Sequence, residues 1–507
     1  MNEAKRARPP VIHPLLLAAY PVIALLAHNI EEVQLRVVWR PLLVSLALSS
    51  LLLVVLYLAL RDWHKAGLAA TIVLLLFFSY GHVYEFFERQ ETFSGILGRH
   101  RYLVGLYLVV FIVSLVWVSR QNIHLPQITR FLNVITAVAL SIPALQLGSF
   151  ELRLAQTQVE RRESLPQPIN LPLKPEAEPR DVYYLILDGY ARDDILRKYY
   201  NYENQPFLKR LSQMGFYIAT CSLSNYAQTQ LSLASGLNFA YLDAFGEGYR
   251  EGNTSRLGLS ELIRHSQTRQ IFEQLGYRVI AFDTGYEATR WKDADLYLSP
   301  QVVQDIDDFE AMFIRTTAAR LIAEGVSFLD VPPDWEKRDQ LHRERILYTL
   351  SKLSTIVEMP SPKFVFAHLI TPHWPHVFGP DGEAVHEHND SISGYRNQVE
   401  FINSRIEPIL STLINESTTP PIIILQADHG SVIESPEQRM SILNAYYFPD
   451  EANPVLYESI SPVNTFRLVF NTYFNANFPL LEDISNYSRY ETPYKYQQYE
   501  DQRAGCP

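Results

Sequence analysis

Five short stretches of this 507-residue chain carry residue types that could do chemistry together. Asp188-Gly189 follows the apolar run VYYLIL, residues 182–187. His368 and then Thr371-Pro372-His373-Trp374-Pro375-His376 follow KFVFA, residues 363–367. Asp428-His429-Gly430 follows IIILQ and one alanine, and Asp283 follows YRVIAF. Carboxylates and imidazoles gathered beyond strand ends suit a divalent metal ion. The fifth stretch, Asn225 to Gly236, has a polar start and a short helical look, with Thr229 at the expected helix start. A hydroxyl there would meet free N–H groups and the positive end of the helix dipole, which favours an anionic substrate. A bound metal would lower its pKa and make it a nucleophile. The same pattern also fits a plain threonine N-cap.

These stretches need a scaffold that brings strand ends together. Short apolar runs at 182–187, 216–220, 277–282, 363–367 and 422–426 alternate with amphipathic segments near 192–214 and 259–274. That alternation predicts an α/β domain with a largely parallel sheet over residues 181–485. Residues 486–507 read as a Tyr-rich, partly ordered tail. Asp283, Glu287, Arg290, Asp293 and Asp295 read as a pocket lining or a solvated acidic loop.

The first 150 residues are of another kind. They hold 12 Lys+Arg and 7 Asp+Glu, net +5, whereas the remainder holds 44−12 = 32 and 55−7 = 48, net −16. Runs free of Asp, Glu, Lys and Arg predict five transmembrane helices at about 10–30, 41–60, 66–84, 102–119 and 131–150. Seven Lys/Arg against five place the N-terminus inside, so that residues after 150 lie outside the cytoplasm of a multi-pass plasma-membrane protein. His82, Glu85 and Glu88 share one side of the third span, either as a functional cluster or as interfacial solvation. Five prolines within 161–180 make residues 151–180 a stiff linker. The acidic outer part argues against nucleic-acid binding. Two cysteines, Cys221 and Cys506, are too few for a disulfide scaffold, and Cys221 reads as a small core or strand-end residue.

Together the motifs resemble the alkaline phosphatase and sulfatase superfamily, and most closely its membrane-anchored lipoteichoic acid synthases and lipid A phosphoethanolamine transferases. The resemblance implies a five-helix transmembrane domain followed by a sulfatase-like α/β domain. It implies Asp188, Thr229, Asp428 and His429 around one divalent ion, zinc or manganese. It assigns Thr229 as nucleophile and His373, with His376, to the substrate. Ser232 and Ser235-Gly236 follow Thr229 at the family spacing. The Cys-x-Pro-x-Arg motif that sulfatases convert to formylglycine is missing, because Cys221 is followed by Ser222, Leu223, Ser224 and Asn225. Histidine is absent after His429, which implies one metal rather than two, and Arg439 stands downstream as a source of positive charge. The expected activity is transfer of a phosphoryl-linked headgroup through a covalent threonine, on a membrane lipid or envelope glycan. A phosphodiesterase or sulfuric ester hydrolase without transfer, and a tethered non-catalytic binding module, are the alternatives.

Overall fold

The structure is a computed structural model and describes residues 8–30, 35–88, 99–120, 125–164, 179–300, 308–323, 334–385, 392–432, 434–449, 455–503 and 505–506. It falls into two units, one of residues 1–157 with 303–335, the other of residues 158–302 with 336–507.

The first unit contains the helices α1 (His13–His28), α2 (Trp39–Leu60), α3 (Trp63–Glu88), α4 (His100–Arg120) and α5 (Leu125–Ser164). Four of them are long and apolar enough to cross a membrane. The expected first span is shorter: α1 has 16 residues, or roughly 24 Å at 1.5 Å per residue, against about 30 Å of hydrocarbon. It nonetheless lies against α2 and α3, with Ala18, Val22 and Leu26 buried. The fifth helix runs on through Ser164, so the expected linker is helical over 151–164, and its Pro-rich part at 165–178 lies outside the described residues.

A second departure is residues 303–335, expected in the α/β domain but grouped with the apolar helices. The helix Asp308–Thr316 packs on α3, Ala318 N–H donates to the Phe77 carbonyl at 2.8 Å, and Arg320 reaches Glu85 at 3.4 Å. Glu85 is therefore an anchor for this segment, His82 faces outward, and the Glu88 side chain lies outside the described residues. Gly81 makes the approach possible, because a Cβ there would sit 2.0 Å from the Arg315 carbonyl oxygen.

The second unit is built on a seven-stranded sheet: β1 (Val182–Leu187), β2 (Tyr217–Ile218), β3 (Arg278–Phe282), β4 (Leu296–Leu298), β5 (Lys363–Leu369), β6 (Ile422–Gln426) and β7 (Asn444–Tyr447). The order is β2-β7-β6-β1-β5-β3-β4. β6, β1, β5, β3 and β4 are parallel, while β7 runs antiparallel to β6 and β2 antiparallel to β7. β1 is central and buried on both faces, as its unbroken apolar sequence requires. Tyr184 and Ile186 enter one core, and Tyr183, Leu185 and Leu187 the other. The single helices expected near 192–214 and 259–274 are each broken in two. The first break falls at Asn201, whose φ of 49° ends Asp193–Tyr200 before Gln205–Gln213 begins.

The expected tail is folded. Tyr494 is buried and its hydroxyl donates to the Ser255 carbonyl at 2.7 Å. Asn486–Tyr487 pairs with Gln497–Gln498. Cys506 is disulfide-bonded to Cys221, so Cys221 is a cross-link and not a plain core residue. The acidic stretch after β3 is divided: Asp293 and Asp295 are exposed, as a solvated loop requires, whereas Asp283 is not. Asp283 is buried against Arg290 at 2.9 Å and Arg345 at 3.2 Å, and Asp293 holds Arg269 at 3.1 Å.

Candidate active site

Because β6, β1 and β5 are neighbours in parallel, their carboxyl ends open on one crevice. Asp188 leaves β1 with its N–H on the Leu369 carbonyl at 3.0 Å. Gly189 follows at φ 73°, a left-handed conformation that suits glycine, and its N–H donates to Asp428 Oδ1 at 3.1 Å. The His373 N–H donates to the Asp188 carbonyl at 3.0 Å, tying the loop after β5 to the end of β1. Ser224 and Ser232 hydroxyls both donate to the Asp428 carbonyl, at 2.6 and 2.7 Å.

Thr229 is the first residue of the helix Thr229–Leu237, and Gln228 occupies the cap position without a side-chain cap bond. The plain N-cap reading is therefore set aside. The Thr229 hydroxyl instead lies 3.1 Å from His429 Nε2. His429 Nδ1–H donates to the Gly430 carbonyl at 2.8 Å, which fixes the tautomer and leaves the Nε2 lone pair for the crevice. His429 Nε2 is also 3.5 Å from Asp188 Oδ1 and 3.3 Å from Asp428 Oδ2.

The donor set fits a divalent cation. Ligand atoms of Asp188, His373 and His429 lie within 4.8 Å of one another, as do those of Asp188, His368 and Asp428. Asp188 Oδ1, Asp428 Oδ2 and His368 Nε2 are buried without a hydrogen-bond partner. Two carboxylates and imidazoles left unpaired at such spacing are costly unless a cation satisfies them. Electrostatics agree. Burial works to raise the Asp188 pKa, but His373, His368 and His429 hold it well below the carboxylate range. Burial and the Asp188 charge push Asp428 up to about 6. Burial and the Arg439 charge keep His429 neutral, the form that binds metal.

The set opens into a cavity of about 710 Å³. His373 is half-buried in its wall, with its Nδ1–H on the Trp374 carbonyl at 2.6 Å. His376 is buried deeper in the same wall, its ring 6.3 Å from that of Tyr395. Arg439 is buried at the other side. Its guanidinium donates to the Ala227 carbonyl at 2.5 Å and the Ser431 carbonyl at 3.0 Å, so it clamps the Thr229 and His429 loops.

Thus all seven residues expected from sequence, Asp188, Thr229, His373, His376, Asp428, His429 and Arg439, meet at this crevice. His368, read from sequence among the imidazoles at this strand end but given no ligand role, joins them. Its signal is present: a lone imidazole in the otherwise apolar, wholly buried run KFVFAHL. Tyr490, from the supposed tail, and Arg256, 4.2 Å above its ring, also line the cavity and have no local sequence mark.

Comparison with known proteins decides the family, for the sulfatase profile matches residues 180–498, well over half of the chain. The chain belongs to the sulfatase family. It is accordingly a sulfatase-like enzyme. The C-terminal periplasmic domain of EcEptC from Escherichia coli is similar at 14% identity and a TM-score of 0.43, over 66% of this chain and 96% of that one. The integral membrane lipooligosaccharide phosphoethanolamine transferase A from Neisseria meningitidis is similar at 13% identity and a TM-score of 0.41, over 91% and 95%. The periplasmic domain of phosphoethanolamine transferase EptC from Campylobacter jejuni gives 12% and 0.37, over 60% and 92%. No curated protein matches the sequence.

Proposed function

We propose that this sulfatase-family membrane enzyme moves a phosphoryl-linked headgroup through a phosphothreonine at Thr229. The observation that carries the reading is the hydroxyl of Thr229 at a helix N-terminus, 3.1 Å from His429 Nε2 and beside two buried, unpartnered carboxylate oxygens. Asp188, Asp428, His429 and Thr229 would hold one zinc or manganese ion, and His368 and His373 are within reach of the same cluster. Such an ion supplies Lewis acidity and lowers the pKa of a neighbouring hydroxyl.

The chain's own residues do the rest. The helix N-terminus before Thr229 and the buried Arg439 charge favour a phosphodiester anion in the cavity. Thr229 Oγ gives its proton to solvent and forms a bond to phosphorus as the bond from phosphorus to the first alcohol breaks. His373, with Nδ1–H committed to a carbonyl, has Nε2 available to take a proton from solvent and pass it to that leaving oxygen. An acceptor hydroxyl, or water, then gives up its proton through His373 Nε2 and forms the new phosphorus–oxygen bond as the one to Thr229 breaks, and Thr229 Oγ regains a proton from solvent. His376, in the same cavity wall, would help His373 hold the substrate.

A disulfide between Cys221 and Cys506 suits an oxidising compartment, and supports an extracytoplasmic catalytic domain on a multi-pass anchor. The substrate then comes from the membrane or the envelope, a lipid or a glycan. Two probes test the reading. Full-length protein in detergent should hydrolyse bis(4-nitrophenyl) phosphate, and hydrolyse 4-nitrophenyl sulfate poorly because the formylglycine motif is missing. Preference for the sulfate ester would favour the sulfuric ester hydrolase instead. A headgroup-labelled phospholipid, with and without an acceptor extract, separates transfer from hydrolysis.

A further inference from the structure

The membrane unit contains its own cavity, of about 410 Å³, remote in sequence from every residue assigned above. Leu48 and Leu52 of α2, Leu74 and Phe77 of α3, and Phe313 and Ile314 of the 308–316 helix line it. The hydroxyls beside it are already bonded, Ser45 to the Ala18 carbonyl and Thr317 to the Ile314 carbonyl. The wall is therefore hydrocarbon. One charged feature interrupts it, a bidentate ion pair between Arg40 and Glu310. Glu310 is buried, whereas the Arg40 side chain is 58% exposed.

We propose that this groove binds one acyl chain of a glycerophospholipid, with the headgroup end of the chain at the Arg40–Glu310 pair. Three observations choose that occupant. The surrounding face of α2, at Leu43, Val44, Leu48 and Leu51, is exposed and apolar on a helix long enough to span a bilayer, so what reaches the groove is lipid. The volume falls within the roughly 300–1,000 Å³ of ligand pockets and is lined as an alkyl chain requires. The Arg40–Glu310 pair sits beside the first residues of α2, at a helix end where a headgroup lies, and closes the groove with a charged boundary. The lipid would join α2 and α3 to a helix whose chain is inserted between β4 and β5 of the catalytic sheet. This inference does not depend on the chemistry proposed for Thr229.

The test uses full-length protein in phosphatidylcholine vesicles doped with phosphatidylcholine bearing a diazirine on its acyl chain. After illumination, adducts are mapped by mass spectrometry. Adducts at Phe313 and Ile314 should exceed those at the exposed α4 residues Leu106 and Val109. Val44→Trp and Leu48→Trp, which fill the groove, should each cut the Phe313 and Ile314 adducts about tenfold, the effect of losing burial of about two methylenes, and leave the α4 adducts unchanged. Labelling of Phe313 and Ile314 in the wild type no heavier than that of α4 would overturn the proposal without recourse to any variant. So would unchanged labelling in both variants.

Discussion

At the scale of single residues, the site is a set of groups each costly alone. Asp188 and Asp428 repel one another and His368 Nε2 lies 3.3 Å from Asp188 Oδ2 without a hydrogen bond, a set that a shared cation satisfies. His368→Ala should therefore weaken zinc binding about 10–100-fold, as loss of a ligand or its close support does, in competition with a chromophoric chelator. Unchanged affinity would remove His368 from the site. The proton on Asp428 gives a sign to the pH dependence. With that carboxyl pushed up to about 6, metal must displace a proton below this pH, so zinc affinity should fall between pH 7.5 and 5. His429, kept neutral by burial, adds little to the fall. An affinity flat over that range would contradict the Asp428 assignment. The site was legible from sequence where a motif directly ends an apolar strand, as at Asp188 and Asp428-His429. His368 was read as a strand-end imidazole but given no ligand role, because it lies inside the strand, and Tyr490 was hidden because 302 residues separate it from Asp188.

At the scale of elements, the long apolar strands β1, β3, β5 and β6 declare themselves by composition, being buried on both faces. β4 and β7, with three and four residues, carry too little pattern, and β7 gives the sheet its antiparallel side. The 308–323 segment was misplaced for another reason. Its partners Glu85, Phe77 and Arg40 lie more than 200 residues away, and no local periodicity reports such pairing. Close approach at Gly81 is its weak point. Gly81→Leu would drive a side chain into the Arg315–Thr316 backbone and should release the segment. Hydrogen exchange at the Ala318 amide, now bonded to Phe77, should then accelerate while amides of β1 keep their protection. Equal protection of Ala318 in the variant would show that the contact tolerates the intrusion.

At the scale of the whole molecule, an average composition conceals two objects, an apolar helical unit and an acidic α/β unit around a cation site. The disulfide joins two residues of the second unit 285 positions apart and fastens the C-terminal strand pair that brings Tyr490 to the cavity. Its reduction should cost about 2–4 kcal/mol, seen as a lower midpoint of thermal unfolding with reductant present. An unchanged midpoint would mean that the cross-link is absent from the purified protein. The central claim is that Thr229 carries the transferred group. Substituting it by alanine should lower the hydrolysis of bis(4-nitrophenyl) phosphate at least about 10³-fold while the unfolding midpoint is kept. The most direct measurement is intact and peptide mass spectrometry of full-length enzyme quenched in acid during turnover of that ester. The expected result is a 4-nitrophenyl phosphoryl adduct on the peptide containing Thr229, missing in Thr229→Ala. Turnover with no adduct on Thr229, at undiminished rate in the alanine variant, would contradict the account.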